Sequence, residues 1–168
     1  MELTRFQRIQ LINQYEILKI VHAGEKDHYE RLIEILFNGY AAMYFEIEGN
    51  LSDDMPDDEG QFVLDILSLY RHIEGFKFHH ASNKIKEHPY GNFTGFDLNY
   101  EGNYYSFAKF LIDENRSFTE QWQYRQKTDG FNTHWPILDK YTIMLARWDE
   151  LGRKHDLSEA DILGIINC

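Results

Sequence analysis

The stretch Ile137-Leu138-Asp139-Lys140-Tyr141-Thr142-Ile143-Met144-Leu145-Ala146-Arg147-Trp148-Asp149-Glu150-Leu151 decides the fold class. Ile137, Tyr141, Met144, Trp148 and Leu151 recur at i, i+4, i+7, i+11 and i+14, which places them on one face of a helix. Gly152 stands where the stripe stops, a usual helix terminator. Downstream, Ser158 with Asp161 forms a capping-box-like start for a last helix carrying Ile162, Ile165 and Ile166. Upstream, 128–136 reads as loop, Phe118 to Arg125 as one more helix, and 101–113 as a helix whose Tyr104, Phe107, Ala108 and Leu111 face a core.

The same period continues toward the N-terminus. Phe62, Ile66, Leu69 and Ile73 follow Asp57, Asp58 and Glu59, carboxylates that suit the positive end of a helix. A further helical stretch is expected over 76–86, and 88–95 is the longest clear loop, rich in turn formers. Thr4 with Gln7 fits a capping box. Leu11, Tyr15 and Leu18, flanked by Ile12, Ile17 and Val21, give a wide apolar face over 4–22 that Ala23-Gly24 ends. A second helix starts near Asp27 and carries Tyr29, Ile33 and Leu36; its stripe would extend to Tyr40 and Met43, so Asn38-Gly39 is either a break or a tolerated glycine. Residues 49–60 are loop by composition. No strand-length alternation and no internal repeat competes with these stripes. The expectation is an all-α fold, a single compact multi-helix domain of about seven helices over 1–168.

The chain has 168 residues, with 17 Lys and Arg against 28 Asp and Glu, for a formal charge of −11. Its basic residues are scattered, Lys84 and Lys86 being the densest pair, so direct nucleic-acid binding is not expected. The last two helices resemble a helix–turn–helix in outline, but the final one has no Lys or Arg with which to read bases. The N-terminus lacks an apolar signal region, and the longest apolar-type run, Tyr40 to Phe45, falls far short of the ~20 residues a bilayer needs. No membrane association is expected, and the cytoplasm is the expected compartment, consistent with the lone Cys168.

No motif assigns a chemistry. His79 and His80 are adjacent and His72 lies two helical turns, ~10 Å, from His79, so neither pairing matches the i, i+3 or i, i+4 spacing of helical metal ligands. Glu25 with His28 is a single Glu-x-x-His with no second copy. The acidic run Asp53 to Gly60 fits no calcium-loop register. A nucleophile elbow, a phosphate loop and a dinucleotide fingerprint are absent. No catalytic residue, metal site or cofactor is expected, and the reading favours a non-enzymatic ligand-binding or protein-interaction domain, regulatory in role. For a small molecule, the candidate binding residues are Asn13, Tyr15, Asp97, Asn132, His134 and Lys140, polar groups flanked by Phe96, Phe131, Tyr141 and Trp148. The competing structural roles are a cap for Asp97 and a loop clamp for Asn132. Two alternatives stand beside this reading. One is an enzyme using Asp97, His134 or Lys140 as acid or base. The other is a homo-oligomer subunit or adaptor that puts its 15% aromatic content into an interface.

Several short motifs, taken in order, resemble the YfbU family. They are Gln7-Arg8, Asn13-Gln14-Tyr15, Tyr29, Arg31-Leu32, Gly39-Tyr40, Val63-Leu64-Asp65-Ile66-Leu67 with Tyr70-Arg71, and Gly95-Phe96-Asp97. The block Phe131-Asn132, His134, Pro136, Lys140-Tyr141, Met144-Leu145 and Trp148 follows, and then Leu157-Ser158 and Ile162 with Ile165-Ile166-Asn167. The resemblance implies an all-α domain and brings no activity, cofactor or substrate with it. Relatives with a DNA-binding segment fused ahead of the domain imply a sensing or regulatory module. The loop at 50–58 is more acidic here than the family pattern.

Overall fold

Helix α1 (Arg5–Val21) starts on the expected capping box: the Gln7 amide donates to Thr4 Oγ1 at 3.2 Å, and the Thr4 amide donates to Gln7 Oε1 at 2.9 Å. The computed structural model describes residues 2–49 and 51–168. A short 3-10 turn, Ala23–Glu25, leads into α2 (Lys26–Asn38). Gly39 ends α2 in the left-handed conformation, φ 69°. The Asn38-Gly39 pair is therefore a break, and Arg8 explains why it holds. Its guanidinium donates to the Leu36 carbonyl at 3.0 Å and fills the space a Cβ on Gly39 would need. Tyr40 and Met43 pass into a 3-10 turn, Ala41–Met43, and a single helical turn, α3 (Phe45–Glu48).

The chain forms two packing units, one ending at Asp54 and the other spanning Met55–Cys168. In the first, α1 lies on α2. Leu32, Ile35, Leu36 and Tyr44 form its core, with Leu11, Ile12 and Tyr15 against them. The second is built on α4 (Asp57–His79), which buries Val63, Ile66, Leu67, Leu69, Tyr70 and Ile73. Asp57, Asp58 and Glu59 occupy its first turn as expected.

The expected continuous helix over 76–86 is instead two pieces. α4 stops at His79, His80 is extended, and Ser82 caps a separate turn, α5 (Asn83–Lys86), accepting from the Ile85 amide at 3.3 Å. A serine that satisfies the next turn's amide competes with continuation of the helix before it. α6 (Gly102–Lys109) widens into a π turn, Phe110–Glu114, closed by the Asn115 amide on the Phe110 carbonyl at 2.9 Å. The wide turn lets the consecutive residues Leu111 and Ile112 both face the core. The segment expected as a helix at 118–125 is a 3-10 helix, Thr119–Tyr124. α7 (Leu138–Glu150) and α8 (Glu159–Ile166) follow, the latter on the Ser158–Asp161 capping box.

The all-α expectation holds: no strand occurs among the described residues, and the β-type pairing is one isolated bridge, Phe96 with Asn132. That bridge closes the centre of the second unit. Phe93, Phe96 and Phe131 come from the two loops, Tyr70 from α4 and Tyr141 from α7, and all five are fully buried. Their rings meet edge-on or offset at 5.4–6.1 Å, the arrangement that adds to simple area burial. Each phenol has a partner: Tyr70 donates to the Tyr90 carbonyl at 3.2 Å, and Tyr141 shares a hydrogen bond with Thr94 at 3.0 Å. Among the described residues no helix is long and apolar enough to cross a membrane.

Candidate functional site

The residues picked from sequence fall in three places. Asp97, Asn132 and His134 meet at the loop pair around the bridge. Asp97 is buried, and its Oδ1 accepts from the Asn99 and Tyr100 amides at 2.6 and 3.0 Å. Asn132 Oδ1 accepts from the Leu98 and His134 amides at 3.1 and 3.2 Å, while its Nδ2 lies 3.2 Å from His134 Nδ1. The exposed His134 ring reaches Asp129 at 2.9 Å. These bonds hold a backbone run with positive φ at Asp129, Gly130, Phe131 and His134. Lys140 is engaged elsewhere. It donates to the carbonyls of Ile166, at 2.9 Å, and of Cys168, and lies over the Tyr90 ring, so it serves the end of α8. Asn13 and Tyr15 belong to the first unit. Asn13 is exposed, and Tyr15 stacks on Tyr29 with centroids 6.0 Å apart.

A basic cleft lies along the outer face of α4. Arg71, Glu74, Gly75 and Phe78, at helical i, i+3, i+4 and i+7 spacing, form one wall of a volume of about 740 Å³. Lys86 of α5, Asn92, and Glu120, Tyr124 and Lys127 from the 3-10 helix and the turn after it complete it. Gly75 presents no side chain, and nothing stands within 4 Å of where its Cβ would be.

Lys77 forms the cleft floor. Its side chain is 6% exposed and that of Glu74 11%. The ammonium donates to the Gly91 carbonyl at 3.0 Å, Asn92 Oδ1 at 2.8 Å and the Tyr124 hydroxyl at 2.9 Å, and pairs with Glu74. The Tyr124 hydroxyl in turn donates to both Glu74 oxygens, at 3.0 and 2.9 Å. Burial pushes the Lys77 pKa down, the Glu74 carboxylate opposes that, and nearby Lys86 adds to the lowering. Burial and Glu74 together hold the Tyr124 phenol well above its ordinary range. Across the cleft Arg71 pairs with Glu120 at 2.9 Å, and it lies over the Phe118 ring. Both carboxylates of the cleft are thus engaged by these cations. Lys86 and Lys127 have no ion pair among the described residues, so the cleft carries a positive surplus in a chain of net charge −11.

Sequence reasoning passed over this cleft. The signals were Glu74 and Lys77 at i, i+3 beside an apolar stripe, and the locally dense Lys84 and Lys86. Neither shows that segments 71–78, 86–92 and 120–127 converge.

A second cleft of about 530 Å³ is lined by His72, His79, His80 and His155. Among the described residues no three His, Cys, Asp or Glu side chains are placed to hold a metal ion. His72 stacks on His155 at 4.7 Å and tilts against Trp148 at 5.6 Å. Burial, His155 and Arg71 hold the His72 imidazole below its ordinary value, with Asp156 opposing. The unfolded chain then binds a proton at His72 more readily than the folded one, so this group's contribution weakens the fold as pH falls through about 6.5. Between about pH 7.5 and pH 5.5, urea unfolding of the parent is expected to lose more stability than that of His72→Gln. Parallel pH profiles would refute the assignment.

The chain is similar to relatives throughout its length. The YfbU domain model matches residues 1–168. UPF0304 protein MJECS11 of Methanocaldococcus jannaschii is 43% identical over 169 aligned residues, covering 99% of each chain. The motifs, the helical architecture and these matches agree: the chain belongs to the YfbU family.

Proposed function

We propose that this protein is a non-enzymatic binding module that takes a small, multiply charged anion in the basic cleft of its second unit. The observation that carries the reading is the pair Lys86 and Lys127, two lysines without a carboxylate partner among the described residues, beside a floor held by the Lys77–Glu74–Tyr124 network. Arg71 and Asn92 line the same space, while Gln123 donates to Glu74 and to the Glu120 carbonyl and so braces the wall. A site of several hundred cubic ångströms with a few convergent polar groups suits a small molecule. Binding is preferred to turnover because Asp97 and Lys140 already use their polar atoms on backbone groups, and His134 on the side chains of Asn132 and Asp129 in its own loop. The two packing units work as one YfbU-like domain, supported by a family match that spans both. The lone cysteine fits a reducing compartment, the cytoplasm, and the protein works there as a homo-oligomer.

Thermal unfolding with pyrophosphate as the probe tests this at constant ionic strength. At a hundred-fold excess over Kd, a ligand confined to the folded state stabilises by about 2.7 kcal/mol, or roughly 5–11 °C in a chain of this size. The double substitution Lys86→Gln with Lys127→Gln is expected to abolish the shift while changing unliganded stability by no more than about 0.5 kcal/mol. An equal shift in the double variant, or no shift in the parent at millimolar pyrophosphate, refutes the reading.

A further inference from the structure

Helix α1 is apolar on two sides, and α2 covers one. Leu11, Ile12 and Tyr15 pack toward the core of the first unit. On the other side Phe6, Ile9, Ile17 and Ile20 are 69%, 56%, 62% and 79% exposed, and Asn13, also exposed, stands among them. At about 100° per residue, all five lie within about 40° of the Asn13 direction. A helix side facing water ordinarily carries charged and polar residues. The first unit is also weakly filled, with four buried apolar residues in its core, and small units of this kind gain stability by association.

The spacing of the stripe identifies what covers it. α1 runs from Arg5 to Val21, so Asn13 is its midpoint. The apolar residues stand seven and four positions before Asn13 and four and seven after it. A two-fold axis through Asn13 therefore sets Phe6 against Ile20 and Ile9 against Ile17 of an antiparallel second helix. Each contact is made twice, as a self-complementary interface requires. Asn13 meets its own copy, and two carboxamides can each donate and accept. A single polar residue in an apolar seam sets its register. The flanks agree: Gln10 falls opposite Glu16 and Arg5 opposite Val21, and no mirrored pair within α1 brings like charges together. A foreign partner would not require a stripe symmetric about its own centre.

We infer that the outer face of α1 is a homodimer surface, formed by antiparallel pairing of two copies of this chain about Asn13. The seam is short compared with most stable interfaces, so the dimer dissociates in the micromolar range. The inference makes specific the homo-oligomer reading above and is independent of the basic cleft.

Sedimentation of the full chain across micromolar concentrations is expected to show a monomer–dimer equilibrium. Ile9→Glu with Ile17→Glu is expected to weaken it by about a hundred-fold or more, with an unchanged helical circular dichroism spectrum. A second measurement decides the geometry even if that variant folds poorly. In a Cys168→Ser background, which removes the one native thiol, Asn13→Cys is expected to oxidise to a disulfide-linked dimer. Ile20→Cys is expected to stay reduced, because two copies of position 20 lie about 21 Å apart along an antiparallel seam, beyond the ~7 Å Cα reach of a disulfide. A monomer at all concentrations, a dimer unaffected by the double substitution, or cross-linking at position 20 as fast as at position 13 would overturn the inference.

Discussion

Gly95→Ala is expected to lower stability by at least about 3 kcal/mol, a fall of roughly 6–12 °C in Tm. Two effects add. Gly95 has φ 97°, a region closed to residues with a Cβ. Its Cβ would also fall on the backbone of Phe131, at the carbonyl oxygen, the carbonyl carbon and Cα. A flexible side chain could swing aside, but this backbone cannot. The Phe131 carbonyl accepts from the Phe96 amide at 3.0 Å, and the Thr133 amide donates to the Phe96 carbonyl at 3.2 Å. Separating the two loop segments of this bridge breaks both bonds and unpacks Phe93, Phe96 and Phe131, all fully buried. Gly164→Ala is the matching control. It lies within α8, has nothing within 4 Å of its Cβ position and has no positive φ, so the change is expected to be neutral or to stabilise by about 0.5–1 kcal/mol. Urea unfolding of the two variants beside the parent is the measurement. Equal effects would show that the bridge is soft.

Glu101→Ala is expected to cost about 3–5 kcal/mol, because it orphans three backbone donors at once, two of them in buried bonds. Glu101 is 4% exposed. Its Oε2 accepts from the Asp97 amide at 2.9 Å, and its Oε1 from the amides of Ile137 and Leu138 at 2.6 and 2.9 Å. Those last two amides open α7, whose preceding residue, Ile137, has no side chain able to cap it. Glu101 therefore supplies from 36 positions away the acceptor that Ser or Thr ordinarily supplies locally. Its negative charge also sits at the positive end of α7. Glu101→Gln tests the carboxylate itself: the amide nitrogen would face an N–H donor, so only part of the stability is expected to return. Hydrogen exchange adds a local readout, since the first-turn amides of α7 are expected to lose protection more than those of α8. Uniform loss of protection across both helices would show that Glu101 acts on the whole core and does not serve as the cap of α7.

Gly95 was legible as part of a turn-rich loop, and Asp97 as a possible cap, because turn and cap chemistry act over a few positions. Glu101 was not, since nothing within its own helix shows that its partners lie at 97, 137 and 138. The basic cleft was hidden for the same reason. The outer apolar side of α1 was visible as Ile17 and Val21 flanking the main stripe, yet a helix with two apolar sides does not announce which one α2 will take.

The helix stripes at Ile137–Leu151, Phe62–Ile73 and Leu11–Leu18, the two capping boxes and the loop at 128–136 were determined by sequence, because each rests on interactions spanning a few residues, whereas the loop expected over 49–60 gives way to α4 at Asp57. The remote cap at Glu101 and the gathering of Lys77, Lys86 and Lys127 around one cleft were decided by tertiary structure. Each depends on which distant backbone or charge the packed core brings within hydrogen-bonding or Coulomb range, and local spacing along a chain does not encode that distance.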